Sequence, residues 1–411
     1  MNTYNLASII LTLAVLIGFV NQKYIKMQST IAIMVSSLVL SILLIILHNT
    51  LLSGWVRQTE HLLLKTNFHS LLMNGMLGFL LFAGSLTVDF DAIKANRFEI
   101  GLLASLGTVL STFLIAIIIY FLLPLLYLEL PFSYCLLFGA LISPTDPIAV
   151  LATFRKIGVP KNLTACLAGE SLFNDGVGIV IFVILYQFIF LHVPFTWKNL
   201  TLTFFQQTLG GIFYGMVLGI TIYQLIRMTK DIHTTILLSI MVATGGYSLA
   251  LFLNISGPLA MVISGMYIGN KLRHKAKEQY LSQALILFWE VIDELLNLIL
   301  FLLMGFELLA LNTKIIPLLV VVIAIPFVLI VRLITVAIPM RFLKTTSRYP
   351  NAIILLTWGG LRGGLALALA LSLPNSYNRD LILAMTYGVV AFAVIVQGLT
   401  IKPLAKLSRA G

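Results

Sequence analysis

The chain has 411 residues, of which 60% are hydrophobic and only 10% are charged, and its mean hydropathy is +1.04. A soluble domain carries about 25% charged residues, so this composition excludes a soluble globular protein and predicts an all-α polytopic membrane protein. Its two cysteines, Cys135 and Cys166, lie in apolar runs, which argues against a disulfide framework or a metal-binding motif. The sequence therefore predicts no cofactor, and the motifs of ATP-driven pumps and intramembrane proteases are absent, which argues against an enzyme.

About thirteen hydrophobic segments follow one another, each near the roughly 20 residues that a membrane span needs. Their approximate cores are 4–20, 29–47, 68–88, 98–123, 132–151, 163–190, 200–226, 232–252, 256–270, 282–311, 315–340, 351–373 and 380–401. With the N-terminus outside, nineteen of the 26 Lys and Arg residues fall in cytoplasmic segments and five fall in external loops. This bias predicts an external N-terminus and a cytoplasmic C-terminus. It also accounts for the net charge of +11 without a nucleic-acid partner.

The fifth span contains two prolines around a polar pair, in "GALISPTDPIAV" at 139–150. Pro144 and Pro147 lack an amide hydrogen, so the carbonyls of Ala140 and Ser143 lose their helical partners. In lipid those carbonyls need other donors. The pattern predicts an unwound helix with Thr145 and Asp146 at the break.

The sixth span carries "GESLFNDGVGIVIF" at 169–182. On a helix, Ser171, Asn174 and Asp175 lie within about 100° of arc, and Gly178 leaves room one turn further on. Glu170 points about 140° away from Asp175, which indicates a different role. Oxygen ligands suit a hard cation, so Asp175, Asp146, Thr145 and Ser171 are the candidate ligands of such a cation, with Asn174 beside them.

The tenth span carries Glu290, Asp293 and Glu294, and Arg332 on the eleventh span is one candidate partner for them. These acids either form a structural ion pair or line a funnel, or one of them is a direct cation ligand. The twelfth span reads "TWGGLRGGLALALAL" at 357–371, where four glycines surround Arg362. Glycine loosens a helix and admits close backbone contact, which predicts a second break.

The two broken spans are seven spans apart. This offset predicts an inverted repeat, 4–190 and 232–401, with 200–226 as the connector and no soluble regulatory domain. A buried carboxylate is tolerated when it takes a proton or holds a cation, so a carboxylate that alternates between the two exchanges one for the other. Glu170 and Arg362 are the candidate internal ion pair between the broken helices.

Several motifs in order resemble the cation/proton antiporters of the NhaP and NHE-like branch: "SPTDPIAV", "GESLFNDGVGIV", "SGPLAMVISGMYIGN", "FWEVIDELLNLILFLLMGFEL" and "WGGLRGGLALALALSLP". The resemblance implies a thirteen-helix inverted repeat with crossed broken helices, in a homodimer. It implies that Asp175 is the cation and proton site, that Thr145 and Asp146 belong to the crossing, and that Glu170 pairs with Arg362. One departure is Ala83 and Gly84 on the third span, where some members carry an acid.

The expected function is exchange of protons for Na⁺, and also Li⁺, across the cell membrane. Asn174 cannot titrate, which favours one proton per cation, although Asp146 is a possible second carrier. K⁺/H⁺ exchange is the first alternative, because carboxylate oxygens bind both ions. A passive cation channel is the second, but conduction needs no carboxylate that changes its protonation.

Overall fold

The computed structural model of the chain describes residues 3–25, 31–32, 35–36, 39, 75–191, 194, 196–229, 231–274, 279–310, 318–341 and 351–410. All regular structure in these ranges is helical, which confirms the predicted all-α class. Most of the predicted second span, 29–47, and the first residues of the third, 68–74, lie outside the described residues.

We number the helical segments in chain order, and the fifth and twelfth predicted spans each correspond to two of them. The segments are α1 Thr3–Val20, α2 Leu77–Leu86, α3 Phe90–Ala95, α4 Arg97–Leu126, α5 Phe132–Ile142, α6 Ile148–Ile157, α7 Lys161–Phe190, α8 Trp197–Thr229, α9 Ile232–Phe252, α10 Gly257–Arg273, α11 Gln279–Ala310, α12 Leu318–Arg341, α13 Ala352–Gly359, α14 Gly364–Leu371 and α15 Tyr377–Lys406.

Six of the described helices are long and apolar enough to cross a membrane: α4, α7, α8, α9, α12 and α15. The pair α13 and α14 forms a seventh span if it is counted as one, with a 43° bend at its break. The chain is therefore a multi-pass membrane protein. The count of thirteen spans, the inverted repeat and the crossing of the broken helices remain predictions.

Both predicted interruptions are present. Helix α5 ends at Ile142 and α6 begins at Ile148, so the break covers the segment with both prolines. Helix α13 ends at Gly359 and α14 begins at Gly364. The first break follows from the missing amide hydrogens of proline, and the second from the weak helix propensity of consecutive glycines.

Helix α8 packs closely against α10 along a line of glycines one turn apart. A Cβ atom on Gly211 would stand 2.8 Å from the Ser256 carbonyl oxygen, and one on Gly215 would stand 2.6 Å from that of Ala260. Real Cβ atoms do not approach so closely, so only glycine permits this contact. Small residues bring membrane helices together in this way.

The C-terminal end of α10 is attached to the loop after α2. Arg273 donates hydrogen bonds to three successive carbonyls, those of Leu86, Thr87 and Val88. The exposed ring of His274 lies 2.8 Å from the Asn270 carbonyl and 3.0 Å from the Asp91 carboxylate. Both neighbours accept hydrogen bonds and therefore favour the doubly protonated imidazole, which raises the pKa of His274.

Candidate cation site

Helix α7 holds the first break through a group of hydrogen bonds centred on Thr145. The Ser171 hydroxyl donates to the Thr145 carbonyl at 2.6 Å. The Asn174 amide donates to the Thr145 hydroxyl at 2.9 Å and accepts from the Thr145 amide at 3.3 Å. All three side chains are buried. The structure thus brings together three polar residues that the sequence predicts as neighbours.

Gly178 has a different role from the predicted one. A Cβ atom at Gly178 would collide with the Pro144 ring. The space beside this glycine is therefore occupied by the break itself, and the missing side chain lets the break lie against α7.

The two breaks contact each other directly. The Asp146 amide donates to the Leu361 carbonyl at 2.8 Å. A Cβ atom on Gly363 would stand 2.6 Å from an Asp146 carboxylate oxygen, so the second break lies against this side chain. The glycines around Arg362 therefore allow the backbone of one break to reach the carboxylate of the other.

Arg362 donates to the carbonyls of the first break. One of its terminal nitrogens contacts the Ser143 oxygen and lies 2.9 Å from the Pro144 oxygen. Pro147 leaves the Ser143 carbonyl without its helical donor, and the carbonyls at the end of α5 carry the negative end of the helix dipole. A buried guanidinium satisfies both the hydrogen bond and the charge.

The predicted ion pair between Glu170 and Arg362 is corrected by this geometry. Glu170 is paired with Arg332 of α12, which donates to both carboxylate oxygens, the second at 3.0 Å. Arg332 also donates to the Leu356 carbonyl at 3.0 Å. Glu170 and Arg332 are both buried, so the bidentate pair replaces water for each charge. Arg362 is already engaged by the carbonyls that the proline break frees.

The acids of the tenth predicted span separate into two groups on α11. Asp293 is half-buried, and its carboxylate interacts electrostatically with that of Asp146. Glu290 and Glu294 are exposed. Arg332, suggested by the sequence as a partner for these acids, is bound to Glu170 instead.

Asp175 and Asp146 are both half-buried and interact electrostatically with each other. Asp146 thus interacts electrostatically with both Asp175 on α7 and Asp293 on α11. Within the described ranges, no group of three or more His, Cys, Asp or Glu side chains is arranged as a metal centre. Two carboxylates with hydroxyl and carbonyl oxygens offer the hard, mixed ligands that suit a cation bound in transit.

Comparisons with known proteins agree on one family. Residues 8–407 match the family model described as "Sodium/hydrogen exchanger, transmembrane". The chain is 38% identical to the Na⁺/H⁺ antiporter NhaP of Pseudomonas aeruginosa over 99% of this chain and 97% of that protein. It is 35% identical to the Na⁺/H⁺ antiporter NhaH of Halobacillus aidingensis over 82% of this chain and 83% of that protein. The solved sodium proton antiporter MjNhaP1 of Methanocaldococcus jannaschii at pH 8 shares the fold, with a TM-score of 0.78 and 18% identity over 98% of this chain and 97% of that one.

Proposed function

Because this chain belongs to the transmembrane sodium/hydrogen exchanger family, we propose that it exchanges protons for Na⁺, and also Li⁺, across the cell membrane. The observation that carries the proposal is the pair of half-buried carboxylates, Asp175 and Asp146, at the contact between two broken spans. A broken helix at midplane exposes backbone groups where an ion crosses, and a carboxylate there binds either a cation or a proton.

In the proposed cycle Asp175 is the residue that alternates between the two ions. On one side of the membrane its carboxylate binds Na⁺ together with Asp146 and oxygens of Thr145 and Ser171. These oxygens keep lone pairs beyond the hydrogen bonds that join Thr145 to Ser171 and Asn174. On the other side Na⁺ leaves and Asp175 takes a proton, so the site returns with the same net charge as when it holds Na⁺.

We propose a stoichiometry of one proton per cation. The amide of Asn174, beside Asp175, both donates to and accepts from Thr145, so it acts as a fixed, uncharged connector. If Asp175 alone loads a proton, each half-cycle moves one positive charge, and the net charge moved is zero. A reversal-potential measurement in proteoliposomes tests this, with imposed Na⁺, pH and K⁺/valinomycin gradients. A reversal point that shifts with the membrane potential would identify Asp146 or Asp293 as a second proton carrier.

Exchange itself is tested by dequenching of a pH-sensitive dye in proteoliposomes on addition of Na⁺, Li⁺ or K⁺. We expect saturable signals with Na⁺ and Li⁺, and loss of both in Asp175→Asn. The matched control is Asp89→Asn at an exposed aspartate that caps α3, where asparagine caps equally well. A signal with K⁺ alone would identify K⁺ as the transported cation in place of Na⁺. Single-channel currents would show that the protein is a passive channel and not an exchanger.

The proposed exchanger has thirteen spans in an inverted repeat, an external N-terminus, a cytoplasmic C-terminus and a homodimeric assembly. The charge bias between loops supports the orientation. Labelling of single cysteines placed in successive loops, from either side of sealed vesicles, tests span number and orientation together. The mass of the detergent-solubilised particle tests the dimer.

A further inference from the structure

Arg332 and Arg362 line the same cavity. It lies between α12, α15 and the second break, and it has a volume of about 10 Å³. A cavity of this size holds one small particle, such as a water molecule or a monatomic ion. The other walls are mostly apolar and include Val328, Val389 and Phe392, with Gln397 as a further polar side chain that donates to the Trp358 carbonyl.

Each arginine keeps one buried N–H group without a hydrogen-bond partner in the described part of the chain, namely Arg332 Nε and Arg362 Nη2. The exposed fraction is 6% for Arg332 and 3% for Arg362, so neither group reaches bulk solvent. A Cβ atom on Gly360 would stand 2.6 Å from Arg332 Nε, so this nitrogen faces a glycine that also lines the cavity. An unpartnered charged donor in such surroundings is costly.

Two guanidinium groups and one carboxylate are in direct contact within this cluster. Glu170 is hydrogen-bonded to Arg332, and Arg362 is bonded to the carbonyls of Ser143 and Pro144. The next carboxylate, Asp146, lies against Gly363, the neighbour of Arg362 in the chain. Within the described residues, no carboxylate accepts a hydrogen bond from Arg332 Nε or Arg362 Nη2.

We propose that this cavity binds one monovalent anion of chloride size between the N–H groups of Arg332 and Arg362. Both arginines offer only donors, and a halide accepts hydrogen bonds without having any to donate. A weakly hydrated halide also tolerates the apolar walls, whereas a water molecule needs acceptors for its own two O–H groups, and the side-chain oxygen of Gln397 is the one neutral side-chain acceptor among the described lining residues. The anion joins α12 to the second break, on the side of Arg362 away from the first break, and is separate from the transported cation.

The test measures thermal unfolding of the purified protein in Na⁺-free choline salts at constant ionic strength, with gluconate replaced stepwise by chloride. We expect a saturable rise of about 3 °C or more in the melting temperature, and the same rise with bromide but not with sulfate. Anomalous diffraction from crystals grown in bromide should place a single peak between the two arginines.

The matched variants lie on one helix. Val328→Leu adds a methylene group into the cavity and should abolish the chloride-dependent rise. Val322→Leu makes the same change at a position that is 54% exposed on α12 and should leave the rise intact. Equal melting temperatures in chloride and gluconate for the parent protein, without a bromide peak, would overturn the proposal and assign the cavity to water. A rise that persists in Val328→Leu would overturn it by placing the anion elsewhere. Neither result depends on Na⁺/H⁺ exchange.

Discussion

Glu170 pairs with Arg332 and not with Arg362, and this leads to a quantitative prediction about the stability of the protein. Removing one partner of a buried ion pair leaves the other charge uncompensated and costs roughly 3–5 kcal/mol. Glu170→Gln and Arg332→Gln should each lower the free energy of unfolding by this amount. Because both changes remove the same bidentate contact, the double variant should be more stable than the sum of the single effects implies.

The size of this coupling can be worked out from the hydrogen bonds. The pair contains two charge-assisted hydrogen bonds, each contributing about 1.5–3 kcal/mol. We expect a coupling free energy of about 3 kcal/mol between Glu170 and Arg332, which is the lower end of the sum of the two bonds and the upper end of couplings between residues in contact. Arg362 acts on Glu170 only through space and bonds to the carbonyls of Ser143 and Pro144. Its coupling to Glu170 should stay below about 1 kcal/mol.

The assay is a pair of double-mutant cycles, followed by circular dichroism as SDS unfolds the protein in detergent micelles. One cycle combines Glu170→Gln with Arg332→Gln, and the other combines Glu170→Gln with Arg362→Gln. Arg362→Gln is expected to destabilise the protein by itself, because it removes donors from two buried carbonyls. A coupling in the second cycle as large as in the first would refute the pairing described above.

Three further predictions concern the site and its surroundings. Asn174→Asp adds a second titratable group beside Asp175, so the exchange should become electrogenic, with a reversal point that follows the membrane potential. Gly363→Ala pushes a methyl group against the Asp146 carboxylate and should raise the KM for Na⁺ about tenfold or more, measured by dye dequenching. The control Gly101→Ala, at a glycine whose added methyl group would contact no other atom, should leave the KM unchanged. The contact of protonated His274 with Asp91 stabilises the fold at a pH below the ordinary histidine pKa, and this stabilisation is lost as the pH rises through the raised pKa of His274. The variant His274→Gln should therefore lower the melting temperature at about pH 5.5 and leave it unchanged at about pH 8.5.

The sequence predicts the two breaks because their causes are local. Proline lacks an amide hydrogen wherever it stands, and consecutive glycines weaken any helix. The cluster of Ser171 and Asn174 around Thr145 can be predicted nearly as well from the sequence, since helical spacing places the two α7 residues on one face. Only the hydrogen bonds from these two residues to Thr145 in the break have to be read from the three-dimensional structure.

The ion pair is predicted wrongly because both arginines are intramembrane and sequence spacing does not rank distant partners. One local signal points to the right answer. Pro147 leaves the Ser143 carbonyl without a donor, and a buried carbonyl in lipid requires one. Assigning Arg362 to that carbonyl leaves Arg332 as the remaining intramembrane base for Glu170. The position of Asp293 beside Asp146 has no such signal, because it depends on how α11 packs.

The glycines of α8 determine where this protein can move. Backbone lies against backbone at Gly211 and Gly215 along the contact with α10, the most extensive one among the described helix pairs, so at these positions no side chain can change rotamer to accommodate a new angle. Packed surfaces of this kind have one arrangement and resist gradual deformation. We therefore expect α8 and α10 to move as one rigid body, so that the rearrangement required by the proposed exchange takes place at the boundaries of that body.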